Sequence, residues 1–370
     1  MFCVLLLVPL SIYALQGNGK NITEGTNKLF IPSENKAIHD FFPKRARGFS
    51  TEFEYLKPSV IVSLAKWNVN ILRINVGTSW KQQKDDYGLK EPLKIYSQAI
   101  KNIDSLLPAC HLYGVKLIIA LNNVPGKKEK SFWTEEGMIK HVEYLAMVWK
   151  AIAQYYVHEP SIVAYDILNE PRLELRDANV WYDRVLSRLI KAIRSVDPSI
   201  TMIIEPGPWG RPDGFEKMRP FEDPNVIYSF HMYAPHTFTH QGIKNNKNTK
   251  GKLRYPGWLQ MYNTSFPKYW DKERLKEYMD VAYRFQQRYK VRMLVGEFGV
   301  ARWAPGRERW VQDNIDVFEL YGWDWCYYSY GEMNRWNPTF GPYDEVSSIQ
   351  DGNKTTETLK ILLQNFKKNQ

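Results

Sequence analysis

The sequence predicts an α/β protein built as a single-domain (β/α)8 barrel, the TIM-barrel architecture, and three observations lead to this prediction. Short apolar runs rich in β-branched residues alternate with longer stretches of helical periodicity, a pattern typical of repeated βα units. Several runs, such as VKLIIAL and VRMLVGE, are almost continuously hydrophobic, as expected for parallel strands that are covered on both faces. No G-x-G-x-x-G turn follows the first run, so a doubly wound dinucleotide-binding sheet has no support.

Eight segments qualify as strands, and each is followed by a loop signal or a change to helical periodicity. They are Ala46–Ser50, Asn70–Val76, Val115–Leu121, Ile162–Leu168, Ile200–Glu205, Val226–His231, Arg292–Glu297 and Trp323–Ser329. Eight strands with intervening helices fit a closed barrel better than an open sheet. No linker divides the chain, so we expect one domain over residues 44–370.

The segments between the strands carry the apolar stripes of amphipathic helices. One stripe lies in Val180–Arg194, and a second follows Asp271. The two stripes consist of Leu186, Leu189, Ile190 and Ile193, and of Leu275, Tyr278, Met279, Ala282 and Phe285. Residues at this spacing share one helix face, so we expect both faces to pack against the barrel.

The N-terminal segment differs in character from the rest of the chain. Residues 1–17 form an apolar run that is too short to span a bilayer comfortably. The run is typical of a secretory signal or an N-terminal anchor, although the usual basic residues do not precede it. Residues 18–43 are a polar, irregular lead-in. We therefore expect a secreted protein, either extracellular or periplasmic. Cys110 and Cys326 are interpreted as buried free thiols, with a disulfide as the alternative.

The formal net charge of +10 raises the question of an anionic partner. Lys and Arg are spread along the chain and interleaved with Asp and Glu. The densest basic stretch, Lys244–Arg254, also carries several Asn and Gly residues, as a solvated loop does. Binding of nucleic acid needs a basic patch or stripe, so the sequence argues against a nucleic-acid partner.

Polar side chains collect where the predicted strands end. In a barrel of this kind, the loops that follow the strands meet at one rim, and catalytic groups lie there. The residues at these strand ends are Arg73, Asn122, Asn169, Glu170, Glu205, His231, Tyr233 and Glu297. A barrel without an active site has no physical reason to gather charges and amides at one rim, so the sequence predicts an enzyme.

Glu170 and Glu297 are the strongest catalytic candidates, because each follows an apolar strand and precedes a loop signal. Cleavage of a glycoside needs such a pair. One carboxyl group protonates the departing oxygen, and the other attacks the anomeric carbon or activates water. In retaining enzymes the two carboxyl groups lie about 5 Å apart. Taken singly, each glutamate is equally compatible with an ordinary surface carboxylate at a strand end.

The motifs around these glutamates resemble those of glycoside hydrolase family 5, the cellulase family of retaining (β/α)8 glycosidases. Asn169-Glu170-Pro171 within YDILNEP and Glu297 within VGEFG match the two signatures of the family. The resemblance extends from RGFS near Gly48 to the final strand. It implies that Glu170 is the acid/base and that Glu297 is the nucleophile.

The resemblance also implies supporting roles at the same rim. Asn169 matches the family's amide that hydrogen-bonds the sugar 2-hydroxyl, and Arg73 matches the arginine whose charge keeps the nucleophile ionised. His231 and Tyr233, in FHMY, match the family's His-x-Tyr pair. Tyr233 is then the expected hydrogen-bond donor to Glu297.

Two strand ends depart from the family's pattern. ALNNVPG places Asn122 where the family has a histidine, so this expected substrate contact is an amide that does not titrate. In WDWCYYSY, Tyr328 stands where many relatives have a tryptophan platform, unless Trp325 supplies that platform. The spacing does not decide between Trp325 and Tyr328.

The connection Ala234–Asp271 is too long for an ordinary βα loop. It contains His236 and His240, but a metal site made from two histidines four residues apart needs a helix, and Pro235 argues against one. We interpret the connection as a lid or as the wall of a substrate subsite. The sequence predicts neither a metal ion nor an organic cofactor.

These observations predict a secreted, monomeric retaining glycosidase that hydrolyses a β-linked polysaccharide or oligosaccharide by double displacement, as cellulases and β-glucanases do. Aromatic residues make up 14% of the chain and offer planar surfaces for sugar rings. The alternatives are a β-mannanase or another β-glycosidase of the same family, and a glycan-binding barrel without turnover.

Overall fold

The computed structural model describes residues 42–77, 92–122, 124, 130–173, 179–261, 264–331, 335–345 and 355–369. All of these residues belong to one compact unit, Ala37–Gln370. The apolar segment 1–17 and all but the last two residues of the lead-in 18–43 lie outside the described residues, so both stay predictions.

Eight parallel strands close into a barrel, which confirms the predicted fold. In chain order the strands are β1 (Arg47–Glu52), β2 (Ile71–Val76), β3 (Lys116–Leu121), β4 (Ile162–Asp166), β5 (Thr201–Ile204), β6 (Val226–Met232), β7 (Gly257–Leu259), β8 (Lys268–Trp270), β9 (Arg292–Phe298) and β10 (Asp324–Tyr328). The barrel consists of β1–β6, β9 and β10, and β10 pairs with β1 to close it. The pair β7–β8 is an antiparallel hairpin inserted between β6 and β9. Every predicted barrel strand is present, with ends shifted by no more than two residues.

Helices connect the strands and cover the outside of the barrel. They are α1 (Pro58–Lys66), α2 (Ser97–Tyr113), α3 (Glu135–Tyr156), α4 (Ser187–Arg194), α5 (His236–Thr239), α6 (Lys272–Tyr289), α7 (Arg307–Tyr321) and α8 (Glu357–Phe366). A π-helical stretch, Val180–Leu186, leads into α4. At the start of α6, the Asp271 side chain accepts a hydrogen bond from the backbone N–H of Arg274 at 3.0 Å, as an N-cap does. The predicted stripe of α6 is buried except for Tyr278, which is half-buried.

Alternate residues of the strands point into the barrel and form two layers. The lower layer, near the N-terminal ends of the strands, is an apolar cluster that includes Ala46, Ile71, Ile118, Ala164, Ile203, Ile227, Leu294 and Cys326. The upper layer, further along the strands, is buried and polar, and includes Ser50, Arg73, Asp166, Glu205, Ser229, His231 and Glu297. Because inward positions recur with a period of two, both layers come from the same faces of the same strands. On β9 the register shifts between Val295 and Glu297, and this one extra residue brings Glu297 to the inner face, three residues after Leu294.

The two cysteines of the described part are buried and free, as interpreted from the sequence. Cys110 lies in α2, and Cys326 lies in the lower layer on β10. Within the described residues, no helix combines the length and the apolar character that crossing a membrane requires.

Candidate active site

Glu170 and Glu297 approach each other at the mouth of the barrel. Glu170 follows β4 with a φ of 49°, in the left-handed region where a residue other than glycine is strained. Glu297 belongs to β9. One carboxylate oxygen of each glutamate and one ring nitrogen of His231 all lie within 4.8 Å of one another. Retaining glycosidases hold their carboxyl groups about 5–5.5 Å apart, against about 6.5–9.5 Å in inverting enzymes, so this spacing suits retention.

Both carboxylate oxygens of Glu297 accept strong hydrogen bonds. Arg73 Nη1 donates to Oε1 at 2.7 Å, and the Tyr233 hydroxyl donates to Oε2 at 2.8 Å. Burial, and then the charge of Glu297, raise the pKa of Tyr233 well above its ordinary value. The hydroxyl therefore keeps its proton and remains a donor. The structure thus brings Arg73 and Tyr233 to Glu297, the contacts expected from the sequence.

Arg73 is completely buried at the centre of the upper layer. Its Nε donates to Asp166 at 2.8 Å, and its Nη2 donates to Glu205 at 2.9 Å and to Asn169 Oδ1 at 2.8 Å. One planar guanidinium with five donors can orient all of these groups together with Glu297. Asn169 Nδ2 in turn donates to Asn122 Oδ1 at 3.0 Å. The two amides that were expected to contact substrate are therefore neighbours at the rim.

His231 joins Glu170 to the buried carboxylate of Glu205. Its Nδ1 lies 3.0 Å from Glu170 Oε1, and its Nε2 lies 3.1 Å from Glu205 Oε1. Burial alone would lower the pKa of His231, but the charges of Glu205 and Glu297 outweigh burial and raise it to about 10. The ring is therefore a charged imidazolium at neutral pH, with Nδ1 hydrogen-bonded to Glu170 and Nε2 in an ion pair with Glu205.

Glu205 also holds the backbone at the catalytic position, because its Oε2 accepts from the Glu170 N–H at 2.7 Å. Burial of Glu205 would raise its pKa, but His231 and Arg73 outweigh burial and lower it. The sequence marks Glu205 as a polar strand end but provides no motif that assigns it a role.

Within the described part of the chain, one cluster of potential ligands is close enough to hold a metal ion. It consists of Glu170, His231 and Glu297. A metal ligand has to be deprotonated, whereas the neighbouring carboxylates keep His231 protonated. The cluster is thus better suited to proton transfer than to binding a cation.

Trp325 is not part of the cleft, so its prediction as a substrate platform is wrong. Its side chain is fully buried on the outer face of the barrel, where it stacks on Phe366, and its Nε1 donates to Glu319 at 3.0 Å. The physical reason is the period of two along a strand. Cys326 and Tyr328 face inward, so Trp325 faces outward. Tyr328 lines the cleft.

Glu52 belongs to the cleft although no motif of the sequence selects it. Its Oε1 accepts hydrogen bonds from Asn75 Nδ2 at 3.2 Å and from the Tyr328 hydroxyl at 3.3 Å. Burial and the nearby charge of Glu297 raise the pKa of Glu52 to about 7. In the sequence, Glu52 lies two residues after Ser50 and therefore on the same strand face. It was missed because β1 extends to Glu52, two residues beyond the predicted end of the strand.

The catalytic pair opens into a cavity of 1520 Å³. The cavity is lined by Glu52, Tyr55 and Trp336, by residues of the connection Ala234–Asp271 and by α6. The connection therefore lies where a subsite wall was expected. Contrary to prediction, Pro235 is followed by a helical turn, α5.

The histidine pair of this connection is stacked ring on ring. The ring of His236 lies 3.6 Å from that of His240, centroid to centroid, with an angle of 11° between the planes. Both histidines line the cavity. The two rings thus pack through their faces, and Thr239 Oγ1 lies 3.0 Å from His240 Nδ1.

Comparison with known proteins places the barrel and its motifs in a family. The family model described as Cellulase (glycosyl hydrolase family 5) matches residues 35–334. Endoglucanase C of Acetivibrio thermocellus is 26% identical over 254 residues, which are 63% of this chain and 73% of that protein. Mannan endo-1,4-beta-mannosidase A of Podospora anserina is 23% identical over 217 residues, 51% of this chain and 56% of that protein.

A solved structure reproduces the fold. Endoglucanase Cel5A from Thermotoga maritima superposes with a TM-score of 0.66 at 22% sequence identity, over 86% of this chain and 96% of that chain. The family match at residues 35–334 includes every barrel strand, both glutamates and the Arg73 network. The chain therefore belongs to glycosyl hydrolase family 5 and is a retaining β-glycosidase that hydrolyses O-glycosidic bonds.

Proposed function

We propose that the chain cleaves internal linkages of a β-linked glucan, with Glu297 as the nucleophile and Glu170 as the acid/base. The observation that carries this assignment is the separation of the two carboxylates, at most 4.8 Å between their nearest oxygens. That gap leaves room for one anomeric centre but not for an additional water in front of Glu297. Direct attack on the sugar is therefore favoured over attack by an activated water.

The two glutamates differ in the way their roles require. Glu297 is 7% exposed and accepts hydrogen bonds from a guanidinium and a phenol, so its carboxylate is held in one position for attack on the anomeric carbon. Glu170 is 31% exposed and contacts His231. In the first step Glu170 protonates the glycosidic oxygen, and the leaving group departs. In the second step it takes a proton from the water that hydrolyses the glycosyl-enzyme.

The substrate is proposed from the relatives and the cleft together. The relatives carry the names endoglucanase and mannan endo-1,4-beta-mannosidase, and the cavity of 1520 Å³ continues beyond the catalytic pair to the connection Ala234–Asp271 and α6. A cleft of this kind accommodates a chain that continues past the scissile bond. A β-mannan is the second candidate. Because the apolar segment 1–17 is typical of a secretory signal, we also propose secretion, with the chain acting as a monomer in the extracellular or periplasmic space.

The test is hydrolysis of aryl β-glycosides, β-glucans and β-mannans by wild type, Glu170→Ala and Glu297→Ala. Each variant should lose several orders of magnitude in kcat. Azide should restore activity to Glu297→Ala with inverted anomeric configuration, because a small anion then takes the place of the missing carboxylate. Thermal unfolding of all three proteins serves as the control for folding.

Three outcomes would change the proposal. Full activity of either variant would refute the assigned roles. Activity on mannan alone would replace glucan by mannan as the substrate. Binding of glycans without turnover by the wild type would favour the glycan-binding alternative.

A further inference from the structure

The cavity continues from the catalytic pair into a recess between the β7–β8 hairpin and α6. We call this recess the hairpin arm, and the residues that define it are Leu259, Met261, Lys268, Trp270, Arg274 and Tyr278, all of which line the cavity. We propose that the hairpin arm is a binding subsite for one sugar unit of the substrate, beyond the units that flank the scissile bond. This inference rests on the proposed function and names a further site for it.

The hairpin presents two chemically different faces. Trp258 pairs with Tyr269 across the two strands, and these side chains are 70% and 47% exposed. Their neighbours along the strands, Leu259 and Trp270, alternate to the other face, where they are 2% and 3% exposed and line the cavity. The inner face of the hairpin thus supplies the apolar wall of the arm.

The buried wall of the arm carries hydrogen-bond donors. The indole N–H of Trp270 is buried and has no hydrogen-bond partner among the described residues. Tyr278 stands beside it at 5.8 Å between ring centroids, and in the described part of the chain its hydroxyl makes no hydrogen bond either. A buried N–H without a partner costs roughly 1–3 kcal/mol, so a ligand that gains access to this N–H and accepts its hydrogen bond is stabilised.

Charged side chains border the arm, and the arginines among them are already paired. Arg274 lies 2.7 Å from Glu277, and Arg211 lies 2.6 Å from Asp213. Paired ions offer both donors and acceptors to a hydroxyl group but leave little net attraction for an anion. Lys268 is the exception, because it has no ion-pair partner within the described residues.

A sugar unit matches this combination of groups better than other ligands do. Sugar rings have apolar C–H faces for aromatic and aliphatic walls, and their hydroxyl groups both donate and accept. A purely apolar ligand would leave the indole N–H without a partner and would remove water from the neighbouring ion pairs. An anionic substituent would find only the exposed Lys268. Because the arm belongs to the same cavity as Glu170 and Glu297, the sugar is part of the substrate being cleaved.

The experiment removes two donors and leaves an aromatic ring at each position. The double variant Trp270→Phe/Tyr278→Phe is assayed on gluco- and manno-oligosaccharides of increasing length, and on an aryl β-glycoside of one or two units. We expect kcat/KM on the longest oligosaccharides to fall roughly tenfold or more, since each lost hydrogen bond is worth about 3- to 10-fold. We expect the aryl glycoside, which is too short to reach the arm, to be cleaved at the wild-type rate.

The matched control is Trp258→Phe/Tyr269→Phe, which makes the same two substitutions on the outer face of the same hairpin. It should behave as wild type with every substrate. Thermal unfolding checks that both double variants are folded. If the inner-face double variant is unstable, Tyr278→Phe alone replaces it, because this half-buried side chain loses only its hydroxyl.

An equal loss on short and long substrates would overturn the proposal, because the arm would then act through the fold or the catalytic groups. Unchanged kcat/KM at every length would also overturn it. A third outcome would be a preference for uronic-acid oligosaccharides that weakens with added salt and disappears in Lys268→Ala. The arm would then bind an anionic sugar, and the proposal of a neutral sugar would be overturned. If the wild type lacks activity on every substrate, the proposed function fails.

The arm can still be tested in that case. Isothermal calorimetry then compares the binding of the long oligosaccharides to the wild type and to the double variant.

Discussion

The lower and upper layers of the barrel interior are built by the same strands, but different forces hold them. The lower layer is an apolar cluster in which Leu294 and Cys326 are fully buried. The upper layer, further along the same strands, gathers ions around Arg73, with Asp166, Glu205 and Glu297 at 2.7 to 2.9 Å. One layer is stabilised by removing apolar surface from water, and the other by pairing charges whose burial is costly.

This difference shows how stability and catalysis are divided within one barrel. Changes in the lower layer should affect the free energy of unfolding at every pH and leave the chemistry intact. Changes in the upper layer should affect protonation, geometry and rate together, because each ion there is the partner of several others. Substitutions matched between the layers therefore test whether the division is real.

The largest effect is expected for Arg73→Leu, which leaves three buried carboxylates without their shared cation. Breaking a single buried ion pair costs roughly 3–5 kcal/mol, so the free energy of unfolding should fall by at least that amount at pH 7, and activity should vanish. Denaturant unfolding followed by tryptophan fluorescence measures the first effect, and hydrolysis of an aryl β-glycoside measures the second. Wild-type stability in this variant would show that charge pairing does not hold the upper layer.

The lower-layer counterpart is Leu294→Ala, on the same strand as Glu297 and three residues before it. Truncation of a fully buried leucine should lower the free energy of unfolding by about 2–5 kcal/mol, because apolar contacts are lost and a cavity remains. We expect kcat, measured well below the unfolding temperature, to stay within twofold of wild type. A large fall in kcat with little loss of stability would remove the distinction between the layers.

The barrel and both glutamates could be predicted because their signals are local. Each strand is an apolar run, and the closed topology brings strand ends to one rim whatever their separation in sequence. Arg73 and Glu297 are 224 residues apart and still meet at 2.7 Å. The choice between Trp325 and Tyr328 is equally local, because the period of two along β10 assigns these two residues to opposite faces.

Other features of the site depend on geometry that a single sequence does not contain. Glu52 enters the cleft only because β1 is longer than its apolar run. Tyr278 fits the apolar stripe of α6 in the sequence, yet the inserted hairpin leaves a cavity beside it. The contacts of Glu205 with Arg73 and His231 require the register of neighbouring strands, which no motif specifies.

A smaller effect is expected for Glu205→Gln, which keeps the shape of an upper-layer side chain and removes its charge. Glu205 is the strongest of the charges that raise the pKa of His231, so this pKa should fall in the variant. The wild-type pKa of about 10 lies above the ordinary value of 6.5. His231 therefore contributes stability that is fully present below pH 6.5 and is lost as the pH rises toward 10.

The measurements for Glu205→Gln are NMR titration of the His231 ring and urea unfolding between pH 6 and 10. The variant should lose less stability than wild type across the upper part of that range, and its kcat should fall roughly tenfold, as for one lost charged hydrogen bond. Leu294→Ala is the control, since a lower-layer change should keep the pH dependence of the wild type. An unchanged His231 titration would contradict the assigned charge coupling.

The smallest effect is expected for Glu52→Gln, at the edge of the upper layer. The folded-state pKa of Glu52 is about 7, above the ordinary 4.5, because of burial and the charge of Glu297. The folded protein thus holds this proton more tightly than the unfolded chain does, and stability is lost as the pH rises from 4.5 to 7. Glutamine stays neutral and should abolish that part of the pH dependence. The variant should therefore be as stable as wild type at pH 4.5 and modestly more stable above pH 7.

Urea unfolding midpoints at both pH values measure this difference in stability. If the stability of both proteins changes equally between pH 4.5 and pH 7, Glu52 is ionised in the folded state over this whole range. The upper layer would then hold one buried negative charge more than its cations pair with.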